Sequence, residues 1–261
     1  MESNNLKNSI ILPIDFTEKC EYALKHAIFY SNFLNTKIVG IHIIKKDKYY
    51  EEAKRQLDSW KSTMENKYNI KIECFIRNGK LFKEIKNFCK EIDGLLVVMG
   101  LHNPKRALKT LIGSKKPFIL IQDDLKSEKL NEIVIPFDEN EDARVQLNWA
   151  IFFHQKFNSN INIIKPFISS DSKNEKMRKN IYFIRNVLDS KNIVYGIRTA
   201  KRGSTFNEAI YDFAKEINAD LIFIMSYNFK KFILKSEKFN VKIPVMCVNP
   251  ADTKFLPGKF V

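Results

Sequence analysis

The chain repeats itself. At a shift of 123 residues, Pro13, Asp15, Leu24 and the run Ala27-Ile28-Phe29 fall on Pro136, Asp138, Leu147 and Ala150-Ile151-Phe152, and Asn35 falls on Asn158. Farther along, the shift grows to 125, where Ile85, Phe88 and Lys90-Glu91-Ile92 meet Ile210, Phe213 and Lys215-Glu216-Ile217, and to 127 at Pro117 and Pro244. A register that drifts by a few residues is what loop insertions leave in a duplication, so whatever fold one half adopts, the other adopts too. The charged stretch from Asp123 to Asn131 separates the copies and divides the 261 residues into a domain at 1–124, a second at 131–250 and a tail at 251–261. Each copy is long enough for one core of ordinary size.

Within a copy, short apolar runs alternate with longer segments of helical period, the pattern of parallel strands joined by crossover helices. In the first copy the strands are expected at Ser9–Ile14, Lys37–Ile44, Ile70–Ile76, Leu95–Met99 and Pro117–Ile121. In the second they are expected at Glu132–Pro136, Asn160–Phe167, Asn192–Arg198, Leu221–Met225 and Pro244–Val248. The runs are apolar on both sides, as strands covered by helices on both faces must be. The fold class is therefore α/β, two tandem open, parallel, five-stranded sheets. Thr17, with Glu18 after it, is placed to cap a first helix running through Leu34. The final strands, PFILIQ and PVMCVN, present apolar edges that invite pairing of the two copies as an internal pseudo-dimer. Ligands of such sheets bind beyond the carboxyl ends of the strands, where the strand order reverses, and both Asp15 and Asp138 end a first strand there.

Composition narrows the function. Hydrophobic residues make up 44% and charged residues 28%, with a net charge of +14, which favours anionic ligands or surfaces at encounter. No apolar run approaches the length of a membrane span and MESNNLKNS has no signal core, so a cytoplasmic protein is expected. The four cysteines form no C-x-x-C pair and read as free buried thiols. Only eight glycines occur, few for loops that cradle phosphate through converging backbone amides.

The residues Ile10-Ile11-Leu12-Pro13-Ile14-Asp15-Phe16-Thr17, Ala23-Leu24-Lys25-His26-Ala27, Val39-Gly40-Ile41-His42-Ile43-Ile44 and Gly94-Leu95-Leu96-Val97-Val98-Met99-Gly100 together resemble a universal stress protein domain. Ile133–Asp138, Trp149-Ala150-Ile151 and Asp220–Met225 repeat the resemblance more faintly. It implies an ATP-binding cleft holding adenosine near the first-strand Asp and the backbone after the second strand, here Asp15 and Ile43. It also implies a loop G-x2-G-x9-G followed by Ser or Thr, which falls on Gly100, Asn103 and Gly113-Ser114, with Lys105 beside it. Yet Met99 to Pro117 spans 18 residues and Met225 to Pro244 spans 19, short of a loop plus a complete helix. If Ala107–Ile112 is the last helix of the domain, Gly113-Ser114 is its C-terminal turn and the phosphate loop is missing. Pro104 donates no N–H and biases Asn103 toward extended geometry.

The remaining anion-attracting feature is a basic edge, with Lys105, Arg106, Lys109, Lys115 and Lys116 in the first copy and Lys230, Lys231, Lys235, Lys238 and Lys242 in the second. Arg198, Lys201 and Arg202 stand near the same rim. Such lysines are ordinarily a solvated helix face; the functional reading makes them a point-charge substitute for the lost cradle. His26 and His154 fall in first helices as packing residues, no histidines have metal-ligand spacing, and Ser114 lacks a nucleophile elbow. The expectation is a non-catalytic tandem universal stress protein, a stress-response binding or scaffold protein with no cofactor and no metal, whose partner is a protein or a small anionic ligand, with a further homodimer open. The alternative is an ATP-dependent switch or weak ATPase using Asp15, Ile43, Gly100 and the Lys105–Lys109 segment. Nucleic-acid binding rests on charge alone and has no reading module.

Overall fold

The computed structural model describes residues 6–111, 114–239 and 242–250, and within these the side chains of 104–106 and 235–239 lie outside the description, as does the tail at 251–261. The chain forms two compact units, 1–126 and 127–261.

The first unit runs β1 (Ile10–Ile14), α1 (Glu18–Leu34), β2 (Ile38–Ile44), α2 (Tyr50–Tyr68), β3 (Ile72–Asn78), α3 (Leu81–Glu91), β4 (Leu96–Gly100), α4 (Pro104–Leu111) and β5 (Phe118–Ile121). Its strand order is β3-β2-β1-β4-β5. Parallel pairing sets Ile10 opposite both Ile38 of β2 and Leu96 of β4. The order reverses between β1 and β4, which places a crevice at their carboxyl ends. Ile10, Ile11, Leu12, Val97 and Val98 are fully buried, each side chain contributing about 1.5–3 kcal/mol of transfer free energy.

The second unit repeats the plan with β6 (Glu132–Pro136), α5 (Arg144–Phe157), β7 (Asn160–Lys165), α6 (Asp171–Asp189), β8 (Tyr195–Thr199), α7 (Phe206–Glu216), β9 (Leu221–Met225), α8 (Ser226–Phe239) and β10 (Val245–Val248). Its order is β8-β7-β6-β9-β10, reversing between β6 and β9. Trp149 and Phe153 of α5 are fully buried, with Phe153 edge-on to Phe223 of β9.

The strands stand where the apolar runs predict them, most ends to within one residue; β7 stops at Lys165 rather than Phe167, β3 runs on to Asn78 rather than Ile76, and two strands start late. β3 begins at Ile72 rather than Ile70 because Asn69 ends α2 in a left-handed turn (φ 52°) and Ile70 N–H still bonds Glu65 O, at 3.2 Å. β8 begins at Tyr195 rather than Asn192 for the same reason: Asn192 has φ 54° and Ile193 N–H reaches back to Leu188 O at 3.0 Å. Asn35 and Asn158, matched by the repeat, are the left-handed C-caps of α1 and α5, with φ 48° and 56°. Asparagine tolerates this conformation, so a glycine-poor chain still closes its helices. The four cysteines are free thiols. Burial pushes Cys20, Cys74 and Cys89 up to about 12 and raises Cys247 as well, so none is a thiolate at neutral pH.

Candidate functional site

In the first unit the crevice is a cavity of about 370 Å³. Pro13, Ile14, Ile41, Leu81 and Met99 form its apolar wall, and Asp15, Thr17, His102 and Asn103 its polar mouth. Phe16, the residue that turns the chain out of β1, has φ 61°, a strained value for an aromatic residue. Its ring lies 4.7 Å from that of His42, and His42 Nδ1 sits 2.8 Å from Ile14 O. This turn directs Asp15 back over its own loop. Asp15 Oδ1 accepts from Thr17 N–H at 3.2 Å and from Thr17 Oγ1 at 2.6 Å, while Thr17 Oγ1 accepts Cys20 N–H at 3.3 Å as the N-cap of α1. The Thr17 cap was legible in the sequence.

Across the crevice, β4 hands the chain to α4 through three residues, Leu101, His102 and Asn103. His102 Nε2 lies 3.0 Å from Asp15 Oδ2 and 3.1 Å from Thr17 Oγ1. Asn103 O accepts Ala107 N–H at 3.0 Å, opening the helix, and Ala107 and Thr110 of α4 face the cavity. A helix therefore packs where a phosphate loop would need open backbone. Gly100 has a packing role: a Cβ there would lie 2.7 Å from Lys19 O, so glycine lets α1 approach the end of β4. Lys19 Nζ completes that joint on Leu101 O at 2.8 Å.

Of the five residues expected at the site, Asp15, Gly100 and Asn103 line the cavity. Ile43 pairs with Arg77 of β3 and is not among the lining residues, where Ile41 stands instead. Lys105 lies in α4 with its side chain outside the described residues, as are Gly113 and the side chains of Arg106, Lys235 and Lys238. Among the described residues the basic edge does not assemble. After α4 the chain has returned to the amino end of the sheet, where Lys116 Nζ bonds Asp93 Oδ1 at 2.8 Å. Lys109 Nζ lies 5.8 Å over the Phe82 ring, and Lys115, Lys230, Lys231 and Lys242 are exposed. A crossover helix reverses edges, so lysines at its two ends cannot share a rim. Among the described residues, no lysine or arginine lines the cavity of either unit at its switch point.

In the second unit, β9 passes directly from Met225 into α8 at Ser226, and the crevice is a cavity of about 340 Å³. Asp138 matches Asp15 but is held differently. Its Oδ1 accepts Asn140 N–H at 3.0 Å, its Oδ2 accepts Asn228 Nδ2 at 3.0 Å, and Tyr227 Oη is 3.3 Å from both oxygens. Burial and the Asp138 charge raise the Tyr227 phenol well above its ordinary value, so it stays a donor. Arg198, expected near this rim, is instead clasped by Glu216 at 2.5 and 2.8 Å and lies 4.3 Å over the Phe213 ring. In the first unit Arg77 makes the equivalent pair with Glu91 at 2.6 Å and lies 5.4 Å over Phe88. The repeat thus pins each edge strand to the helix that follows it.

The sequence reading missed the Asp15–His102 pair. Its signal was present: His102 follows by two residues the end of a strand adjacent to β1. Asp-His-Thr in contact invites comparison with a catalytic triad, but there the carboxylate and the nucleophile occupy opposite ring nitrogens. Here both Asp15 and Thr17 meet Nε2, so the ring cannot relay a proton from one to the other.

Two doubly wound parallel sheets in tandem, each with a crevice at its switch point, define an α/β protein of Rossmann-related fold. Residues 8–115, most of the first unit, match the model of the universal stress protein family. A universal stress protein from Archaeoglobus fulgidus DSM 4304 has the same fold over 94% of this chain and 97% of its own, with a TM-score of 0.73 and 17% identity. A putative universal stress protein from Pseudomonas aeruginosa UCBPP-PA14 matches over 96% of both chains, with a TM-score of 0.66 and 12% identity. These likenesses extend the tandem fold to the second unit. Among curated proteins no relative matches.

Proposed function

We propose that this protein is a non-catalytic tandem universal stress protein that acts in the stress response by binding, and that neither cleft grips a triphosphate. One observation carries the reading: only three residues separate β4 from α4, and none separate β9 from α8, so no long loop stands ahead of either helix to wrap a triphosphate with backbone amides, and the amides of the helix's first turn are all that the backbone offers there. The charge of the clefts agrees. Asp15 and Asp138 face them, and no described lysine or arginine does. In the second unit Asp138 already holds two side-chain donors of the first turn of α8, the Tyr227 phenol and the Asn228 amide, which an anion would have to win from it.

Support for the absence of catalysis is the geometry at Thr17 and the raised thiols. Four unpaired thiols also suit the reducing cytoplasm. Among the described residues no helix is long and apolar enough to cross a membrane.

The test is calorimetric titration of freshly purified protein with ATP and Mg²⁺, together with absorbance of any adenine compound released on denaturation. No heat and no released adenine are expected. Stoichiometric nucleotide would overturn the reading in favour of the ATP-dependent switch.

A further inference from the structure

The two switch-point carboxylates differ in one respect that bears on ligand choice. Asp15 has an imidazole nitrogen 3.0 Å from Oδ2. Asp138 has no cationic partner among the described residues; its neighbours are a backbone amide, a phenol and a side-chain amide. Glu139, also lining the second cavity, is committed elsewhere: Lys173 Nζ bonds it at 2.8 Å and holds its carboxyl below the usual range. Phe206, Ile210, Ile224, Met225 and Pro166 form the apolar wall facing Asp138. In a chain with 44 lysines and arginines, this cavity of about 340 Å³ draws none among the described residues.

We propose that the second cleft is a site for a small organic cation, a primary amine with an apolar body, with Asp138 as the counter-ion. The ammonium lies at the mouth against the Asp138 carboxylate, and the body lies on Phe206, Ile210 and Ile224. The neutral donors and the amino end of α8 fix the carboxylate with no full positive charge beside it among the described residues, so an ammonium adds the charge partner. A charge-assisted hydrogen bond of this kind outweighs a neutral one severalfold in equilibrium terms. The inference rests on the absence of a phosphate grip in this unit, proposed above, and adds the class of ligand that replaces phosphate.

The experiment compares three probes that share a phenethyl body and differ in charge, phenethylamine, 2-phenylethanol and 3-phenylpropanoate, by protein-observed NMR and calorimetry on the full chain at neutral pH. The amide signals of Asn207 and Asn228 report the site. Phenethylamine is expected to bind roughly tenfold or more tightly than the anion and to shift both amides. Asp138→Asn should abolish that preference while circular dichroism stays native. Should that variant misfold, Asn207→Trp, which fills the cavity and leaves Asp138 in place, should block the amine. The inference is overturned if the propanoate binds as well as the amine, if none of the three binds, or if the preference survives in a folded Asp138→Asn or Asn207→Trp protein. ATP titrated into the same sample separates the two claims. Nucleotide at this site overturns the loss of the phosphate grip, whereas indifference to both ATP and amine overturns only the cation site.

Discussion

The two crevices began as copies and now hold the same aspartate in different company. In the first unit Asp15 folds back on Thr17 and meets His102 from the neighbouring strand end. In the second, Asp138 is held by the first turn of α8 through Tyr227 and Asn228. The difference follows from chain length between the fourth strand and its helix. Three linking residues give room for a histidine to reach across the crevice, and no linking residues bring the helix itself to the carboxylate. Neither arrangement leaves a loop, but they leave different mouths: one closed by a side-chain pair, the other a carboxylate beside an apolar wall.

The largest expected consequence of the divergence is at a buried position behind the clefts. His26 of α1 matches Trp149 of α5 in the repeat, and both are buried. Burial lowers the His26 pKa to about 4, and its Nε2 has no hydrogen-bond partner. The unfolded chain, with histidine near its ordinary value of 6.5, binds the proton more readily than the folded one. The first unit should therefore lose stability as pH falls from 6.5 toward 4, by about 3 kcal/mol at the end of that window. In denaturant titrations across this range the first unit should weaken more than the second, and His26→Phe should remove most of the difference. Equal acid sensitivity of the two units would break the comparison at this position.

A smaller effect is expected where β4 meets α1. Gly100 matches Met225, which carries its side chain without difficulty, but a Cβ at 100 would strike Lys19 O at 2.7 Å. Gly100→Ala should cost about 1–3 kcal/mol, seen as a lower denaturation midpoint. An unchanged midpoint would show that the joint yields.

Thr17 caps α1 through its side chain, whereas its counterpart Asn140 makes no side-chain cap and α5 starts after a short 3₁₀ turn. Thr17→Ala should cost about 1 kcal/mol, and Asn140→Ala should cost less through lost capping; equal losses would remove the distinction.

The smallest effect belongs to the edge clasps. Both pairs are exposed, so Arg77→Lys and Arg198→Lys should shift thermal midpoints only slightly, more at Arg198, whose two bonds to Glu216 require the guanidinium fork. Added salt should shrink both shifts.

Much of the fold was legible because it is written in local, repeated patterns. The period of apolar residues fixes strands and helices within a few positions. The exceptions at β3 and β8 arise where asparagines extend a helix end by a turn that no apolar pattern records. The Thr17 cap could be read because capping is a contact three residues long. The basic rim could not: Lys105 to Lys116 are near one another in sequence, but α4 carries them from one edge of the sheet to the other. Nor could the Asp15–His102 pair, whose members are 87 residues apart and meet only because β1 and β4 are neighbours.

By itself, then, the sequence determined the duplication, the strand and helix inventory, the free thiols and the shortness of the segment after each fourth strand. Those follow from periodicity, spacing and residue chemistry along the chain. Tertiary structure alone decided which partner each aspartate keeps, that Gly100 serves a helix contact and that neither cleft is lined by a described lysine or arginine. Each of these depends on which strands lie side by side and at which edge a helix delivers the chain, and distances across a sheet are set by packing.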